Sequence, residues 1–137
     1  MTITMNTMKL VVRDLSVTEP FYRAMGFQVV SRNIGGEKEV RQTQCWLSTT
    51  GDRTSFVLIL SQFLEVSAPA TIAYPGEVWL VFMTSDVDET LRAVQEHGGR
   101  VDRAAEDRPE HHVRAAVVSD PEGHIIEVVG PMSGAAR

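Results

Sequence analysis

The chain has 137 residues, 43% of them hydrophobic and 23% charged, which suits one ordinary domain able to bury a core without disulfide staples. No apolar run approaches the roughly 18 residues of a membrane span, and a net charge of -5 is the wrong sign for neutralising phosphates, so neither a membrane nor a nucleic acid is an expected partner. The lone Cys45 can form no internal disulfide and offers no thiolate cluster, so it reads as a small buried hydrophobe, and a small organic molecule is the expected partner.

The opening MTITMNTMKLVV lacks a basic stretch followed by an apolar core and a small-residue cleavage site, so a cytoplasmic location is expected. Residues 5–13 alternate as a strand, with Met8, Leu10 and Val12 on one face and Thr7, Lys9 and Val11 on the other. Ser16 and Glu19, three apart, predict a capping-box start for a helix of about ten residues, with Pro20 tolerated only in its opening turn. Gly26 suits the left-handed residue that closes the helix, and residues 27–32 resume as a strand that Gly35 and Gly36 break. Two further strands, 40–47 and 55–60, flank a turn at residues 49–52. Residues 62–75, with Pro69 and Pro75 among small and polar types, read as a crossing linker.

The pattern then restarts. Residues 78–83 form an apolar strand, Asp86 and Glu89 repeat the capping logic, Leu91 and Val94 supply a buried helical stripe, and Gly98-Gly99 ends the helix. Strands follow at 100–105, 113–118 and 124–129. The last two are joined by Asp120-Pro121-Glu122-Gly123, a strong turn sequence, while 106–110 reads as a mobile, solvated loop. Asp14 stands twelve positions before Gly26, and Asp86 twelve before Gly98. Such tandem units each leave a sheet face that only the other half, or another chain, can cover. The expected fold is α+β: two βαβββ modules, about 5–61 and 76–130, in one domain over 1–137, with a tail at 131–137. Their mixed sheet is expected to curve around a cleft with the helices outside.

Asp14-Leu15 followed by Phe21-Tyr22 and Met25-Gly26-Phe27 resembles the first-module signature of the vicinal oxygen chelate superfamily, which includes glyoxalases, bleomycin-resistance proteins and extradiol dioxygenases. Asp86-Val87-Asp88, Gly98-Gly99 and Asp120-Pro121-Glu122-Gly123 running on to Glu127 resemble the second-module signature. Met25 replaces the usual Leu. The resemblance covers nearly the whole chain and implies a homodimer, since members commonly cover their linker and sheet edges with a second chain.

It also implies four metal-ligand positions, which fall here at Thr7, Ile59 give or take one, Trp79 and Glu127. One carboxylate cannot hold a transition metal that needs about three or more suitable ligands, so no metal or other cofactor is expected. Residues two apart share a strand face. On the family's geometry the cleft is therefore lined by Thr7, Lys9, Ile59, Trp79, Val81, Met83 and Glu127, an apolar hollow with one indole, one ammonium and one carboxylate.

Glu127 lies between Ile126 and Val128, where a carboxylate is costly unless paired, neutral or engaged by a ligand. It is either a general base or counter-charge, or a relic acid paired with Lys9. Trp79 is either a stacking wall or simply fills the volume a metal site would occupy, and Trp46 belongs to the core or a dimer interface. His111 and His112 are adjacent, so at most one faces the cleft, and solvent-facing histidines are the simpler account; His97 and His124 read as local hydrogen-bond partners. The expected function is reversible, metal-free binding of an aromatic or amphipathic molecule, as in drug-sequestering relatives, with the acidic surplus favouring a cation. The alternatives are a lyase or isomerase using Glu127, or a metalloenzyme with ligands elsewhere.

Overall fold

The computed structural model describes residues 1–36, 41–64 and 78–134. It divides into two compact units, Met1–Thr71 and Ile72–Arg137. Among the described residues each carries one α-helix and one four-stranded mixed sheet, so the α+β class and the two βαβββ modules are observed.

In the first unit the elements are β1 (Thr7–Val12), α1 (Leu15–Ala24), β2 (Gln28–Gly35), β3 (Gln42–Ser48) and β4 (Val57–Phe63). The sheet order is β1-β4-β3-β2, with β1 parallel to β4 and the other pairs antiparallel. A helix between β1 and the rest of the unit makes the parallel pairing possible, because a parallel partner needs a long crossover. Helix α1 starts differently from the capping-box expectation. Its cap is Asp14, whose carboxylate accepts from the Ser16 amide at 2.9 Å, and the Leu15 amide donates to Gln62 Oε1 at 2.8 Å. Pro20 consequently falls inside the helix rather than in its opening turn. It forfeits the bond to the Ser16 carbonyl, on a face exposed enough for water to replace it.

Glu19 does not close a box either; it forms a two-pronged ion pair with Arg32 of β2, one prong at 2.9 Å. Phe21 and Tyr22 are fully buried and meet edge to face, with centroids 5.1 Å apart, under which Leu47, Leu60 and Cys45 complete the unit's core. Gln62 and Phe63, expected in the linker, instead prolong β4; positions 65–75 of that linker, with Val40 of the expected third strand, lie outside the described residues.

The second unit runs β5 (Leu80–Met83), α2 (Val87–Glu96), β6 (Arg100–Arg108), β7 (Val113–Ser119) and β8 (Ile125–Gly130). Its sheet order is β5-β8-β7-β6, again with the first and last strands of the unit parallel. Here the cap expectation holds: Asp86 accepts from the Glu89 amide at 3.0 Å. Val87 and Val94 of α2 are buried with Leu80, Ala116, Val118, Ile126 and Val128. Arg114 ties the helix to the sheet by reaching Asp88 at 3.1 Å and Asp107 at 3.2 Å.

Residues 106–110 are not a loop. Glu106, Asp107 and Arg108 continue β6, and Pro109–His111 is a single 3-10 turn closed by His112 in the left-handed conformation, φ 57°. At the far end of β8, a Cβ on Gly130 would stand 2.6 Å from the Thr84 carbonyl oxygen, so only glycine lets the strand close against the start of α2.

Candidate functional site

One face of the second sheet is covered by α2 and the other carries the candidate site. Alternation along β8 turns Ile126 and Val128, both fully buried, toward the helix and leaves Glu127 and Val129 on the opposite face. The register sets Glu127 beside Val117 of β7 and Val81 of β5, so Val113, Ala115 and Val117 share that face. Strand β6 reaches it through two bulges. Val101 pairs with Val118, Arg103 with Val117, and Glu106 with Ala115, so one extra residue is inserted at each step. Arg103, Glu106 and Arg108 therefore all stand on the Glu127 side.

Arg103, Arg108, Val113, Ala115, Val117, Glu127 and Val129, with Trp79 just before β5 and His111 in the 3-10 turn, line a cavity of about 380 Å³. Its floor is Val113, Ala115, Val117 and Val129; the indole of Trp79 and the Glu127 carboxylate stand to one side, and Arg103, Arg108 and His111 to the other. The Glu127 side chain is half-buried and that of Arg103 exposed, and neither has a hydrogen bond or ion pair among the described residues. Arg108 Nη2 lies 3.4 Å from Glu106 Oε2.

Of the residues expected at the cleft, the structure brings Trp79 and Glu127 together. Val81 and Met83 share their face but are 56% and 75% exposed on the outermost strand and do not line the cavity. Thr7, Lys9 and Ile59 belong to the first unit, where Lys9 and Ile59 are in register on one face; the cavity's lining comes entirely from the second unit. Trp46 is half-buried on its own sheet, bonded through Nε1 to Gln44 Oε1 at 3.2 Å and covered by the Arg53 guanidinium at 4.7 Å. His111 lines the cavity while His112 stays outside it. His97 bonds the Ala93 carbonyl at 2.9 Å and His124 the Asp120 carboxylate at 2.7 Å, both local.

Arg103 and Arg108 are the site residues that strand alternation missed. A weak signal for Arg108 lies in the sequence: Pro109 biases the residue before it toward extended backbone.

The metal positions implied by the resemblance hold one hydroxyl at Thr7, an alkyl group at Ile59, an indole at Trp79 and one carboxylate at Glu127. That donor set does not fit a divalent transition metal. Among the described residues no three His, Cys, Asp or Glu side chains are grouped to hold one, and no helix is long and apolar enough to cross a membrane.

The model of the Glyoxalase/Bleomycin resistance protein/Dioxygenase superfamily matches residues 4–128, and the chain belongs to that superfamily. Among solved structures, it is similar to a glyoxalase family protein from Bacillus cereus, with a TM-score of 0.79, 20% identity and 97% of each chain covered. It is also similar to the trypanothione-dependent glyoxalase I of Leishmania major, with a TM-score of 0.71, 23% identity, and 94% of this chain and 87% of that one covered. TioX from Micromonospora sp. ML1 matches with a TM-score of 0.65, 19% identity, and 94% and 99% covered. At these identities the likeness establishes the fold. No curated protein matches the sequence.

Proposed function

We propose that the chain reversibly binds a small organic molecule with an aromatic or apolar body, without a metal, on the open face of its second sheet. The observation that carries this reading is that Trp79 and Glu127 line one cavity over a floor of valine and alanine. Such a site takes affinity from apolar and aromatic lining and orientation from a few polar groups. Its size, about 380 Å³, lies within the range of small-molecule sites. The test is calorimetric titration with the neutral probe 2-naphthamide. Binding that weakens about tenfold in Trp79→Ala and is unchanged in Trp46→Phe supports the reading; no binding to the wild type of this probe or of its charged counterparts 2-naphthoate and 2-naphthylmethylammonium sinks it.

A second reading, a lyase or isomerase in which Glu127 moves a proton, is supported by the absence of any partner for that carboxylate among the described residues. Its test is exchange of the acidic methyl protons of 2-acetylnaphthalene in deuterium oxide. Acceleration by the wild type, lost in Glu127→Gln with affinity kept, supports proton transfer, and no acceleration counts against it. A homodimer belongs to the same reading, supported by the exposed Val81 and Met83 on the outermost strand of the second sheet, and sedimentation equilibrium reads it directly.

A further inference from the structure

We propose that the ligand of this cavity is an organic anion, a carboxylate on an aromatic or apolar body, held by Arg103 and Arg108. The inference deepens the binding reading above and rests on it. It also reverses the sign suggested by the chain's overall charge. The net charge of -5 is spread over the whole sequence, and exposed charges more than about 8–10 Å away are screened at ordinary ionic strength. What a bound molecule meets is the local set: the charged side chains lining the cavity are two guanidinium groups and the Glu127 carboxylate, with the exposed Glu106 carboxylate beside Arg108.

The arrangement of these charges also gives the ligand a direction. Val117 pairs with Arg103 on one side and with Glu127 on the other. Neighbouring strands are about 4.8 Å apart, so the guanidinium and the carboxylate arise from backbones roughly 10 Å apart across β7. A molecule lying over Val117 and Ala115 meets positive charge at the β6 end and negative charge at the β8 end. Its carboxylate is attracted to the first and repelled by the second, while Trp79 offers its apolar body a wall.

Arg103 is ready for this role because nothing among the described residues engages it. Among the described residues Arg108 is shared only with Glu106, in a pair whose side chains are 40% and 64% exposed, an interaction of the weak, solvent-screened kind. A planar guanidinium fork matches a carboxylate in two parallel hydrogen bonds, which a lysine in the same place would not do.

The test compares three probes with one ring system: 2-naphthoate, 2-naphthamide and 2-naphthylmethylammonium, titrated calorimetrically into the full chain. The expected order is anion, neutral, cation, with 2-naphthoate at least about tenfold tighter than 2-naphthamide and only the former weakening with added sodium chloride. Arg103→Gln and Arg108→Gln are each expected to reduce the anion's advantage several-fold, with 2-naphthamide affinity kept and an unchanged circular dichroism spectrum. The probe order in the wild type stands independently of whether either variant folds. Equal affinities, or the cation binding tightest, overturns the anion proposal and leaves the binding reading in place. Failure of all three probes to bind overturns both.

Discussion

Arg103 faces Val117 across β6 and β7, one residue later than a ladder continuing from the Val101–Val118 pair would set it. The second bulge, before Glu106, displaces the strand by one more. Two residues five apart on an unbroken strand point to opposite faces. The second bulge, which lies between them, changes that parity and puts both guanidinium groups over the same floor as Glu127.

The salt bridge inside that cluster sets up a competition. Glu106 holds Arg108 at 3.4 Å, so a ligand carboxylate must share or displace it. Glu106→Gln is expected to tighten 2-naphthoate by roughly two- to fivefold, the scale of a solvent-screened pair, and to leave 2-naphthamide unchanged. Calorimetry reads both. A weaker 2-naphthoate affinity in this variant would mean that Glu106 positions Arg108 instead of competing for it.

The two α-helices and eight strands of the described residues stand in the sequence in their observed order because each is locally signalled. Lys9 with Val11 and Ile126 with Val128 show the period of two, Asp86 with Glu89 marks the start of α2, and Asp120 to Gly123 marks the last turn. The start of α1 differs from its capping-box expectation because Ser16 and Glu19 have the spacing of a box while Glu19 is engaged by Arg32, thirteen residues away, which no local rule detects. The site was half legible for the same reason. Trp79 and Glu127 follow from alternation and the family's spacing. Arg103 and Arg108 depend on bulges that break alternation, and the charged run from Glu106 to Glu110 has the composition of a loop although three of its five residues are strand.

Asp120 shows how a turn motif becomes stability. Its side chain is buried, Oδ1 accepts from the amides of Glu122 at 2.9 Å and His124 at 3.0 Å, and Oδ2 accepts from the His124 ring at 2.7 Å. Asp120→Ala leaves those donors unmatched and is expected to cost about 2–3 kcal/mol. Asp120→Asn keeps an oxygen for the two amides and is expected to cost about half as much. Urea unfolding midpoints measure both, and equal losses in the two variants would show that the carboxylate's charge, not the amide contacts, holds the turn.

Cys45 is fully buried, and its thiol is pushed up to about 12, first by burial and then by the neighbouring Glu19 carboxylate. A thiol held there is almost wholly protonated at pH 8, and the thiolate is the nucleophile. Ellman's reagent is therefore expected to label native protein only as slowly as the chain opens, and to label it at once in concentrated guanidinium chloride. Rapid labelling of the native protein would show that the core beneath α1 is open to solvent.

The Glu19–Arg32 pair gives folding a pH dependence of known sign. Arg32, hydrogen-bonded to the carboxylate, holds Glu19 below its ordinary value of 4.5. The folded chain therefore takes up this proton less readily than the unfolded chain does. The pair's contribution is fully present above about pH 4.5 and is lost as the pH falls through the lower, folded-state value. Arg32 is 56% exposed, so the contribution is screened and amounts to under about 1 kcal/mol. Urea unfolding of the wild type and Glu19→Gln across this range is expected to show the wild type ahead at neutral pH and the gap closing below about pH 4.5. A gap that stays constant down to the acid limit would mean that Glu19 contributes by packing, with no charge-dependent part.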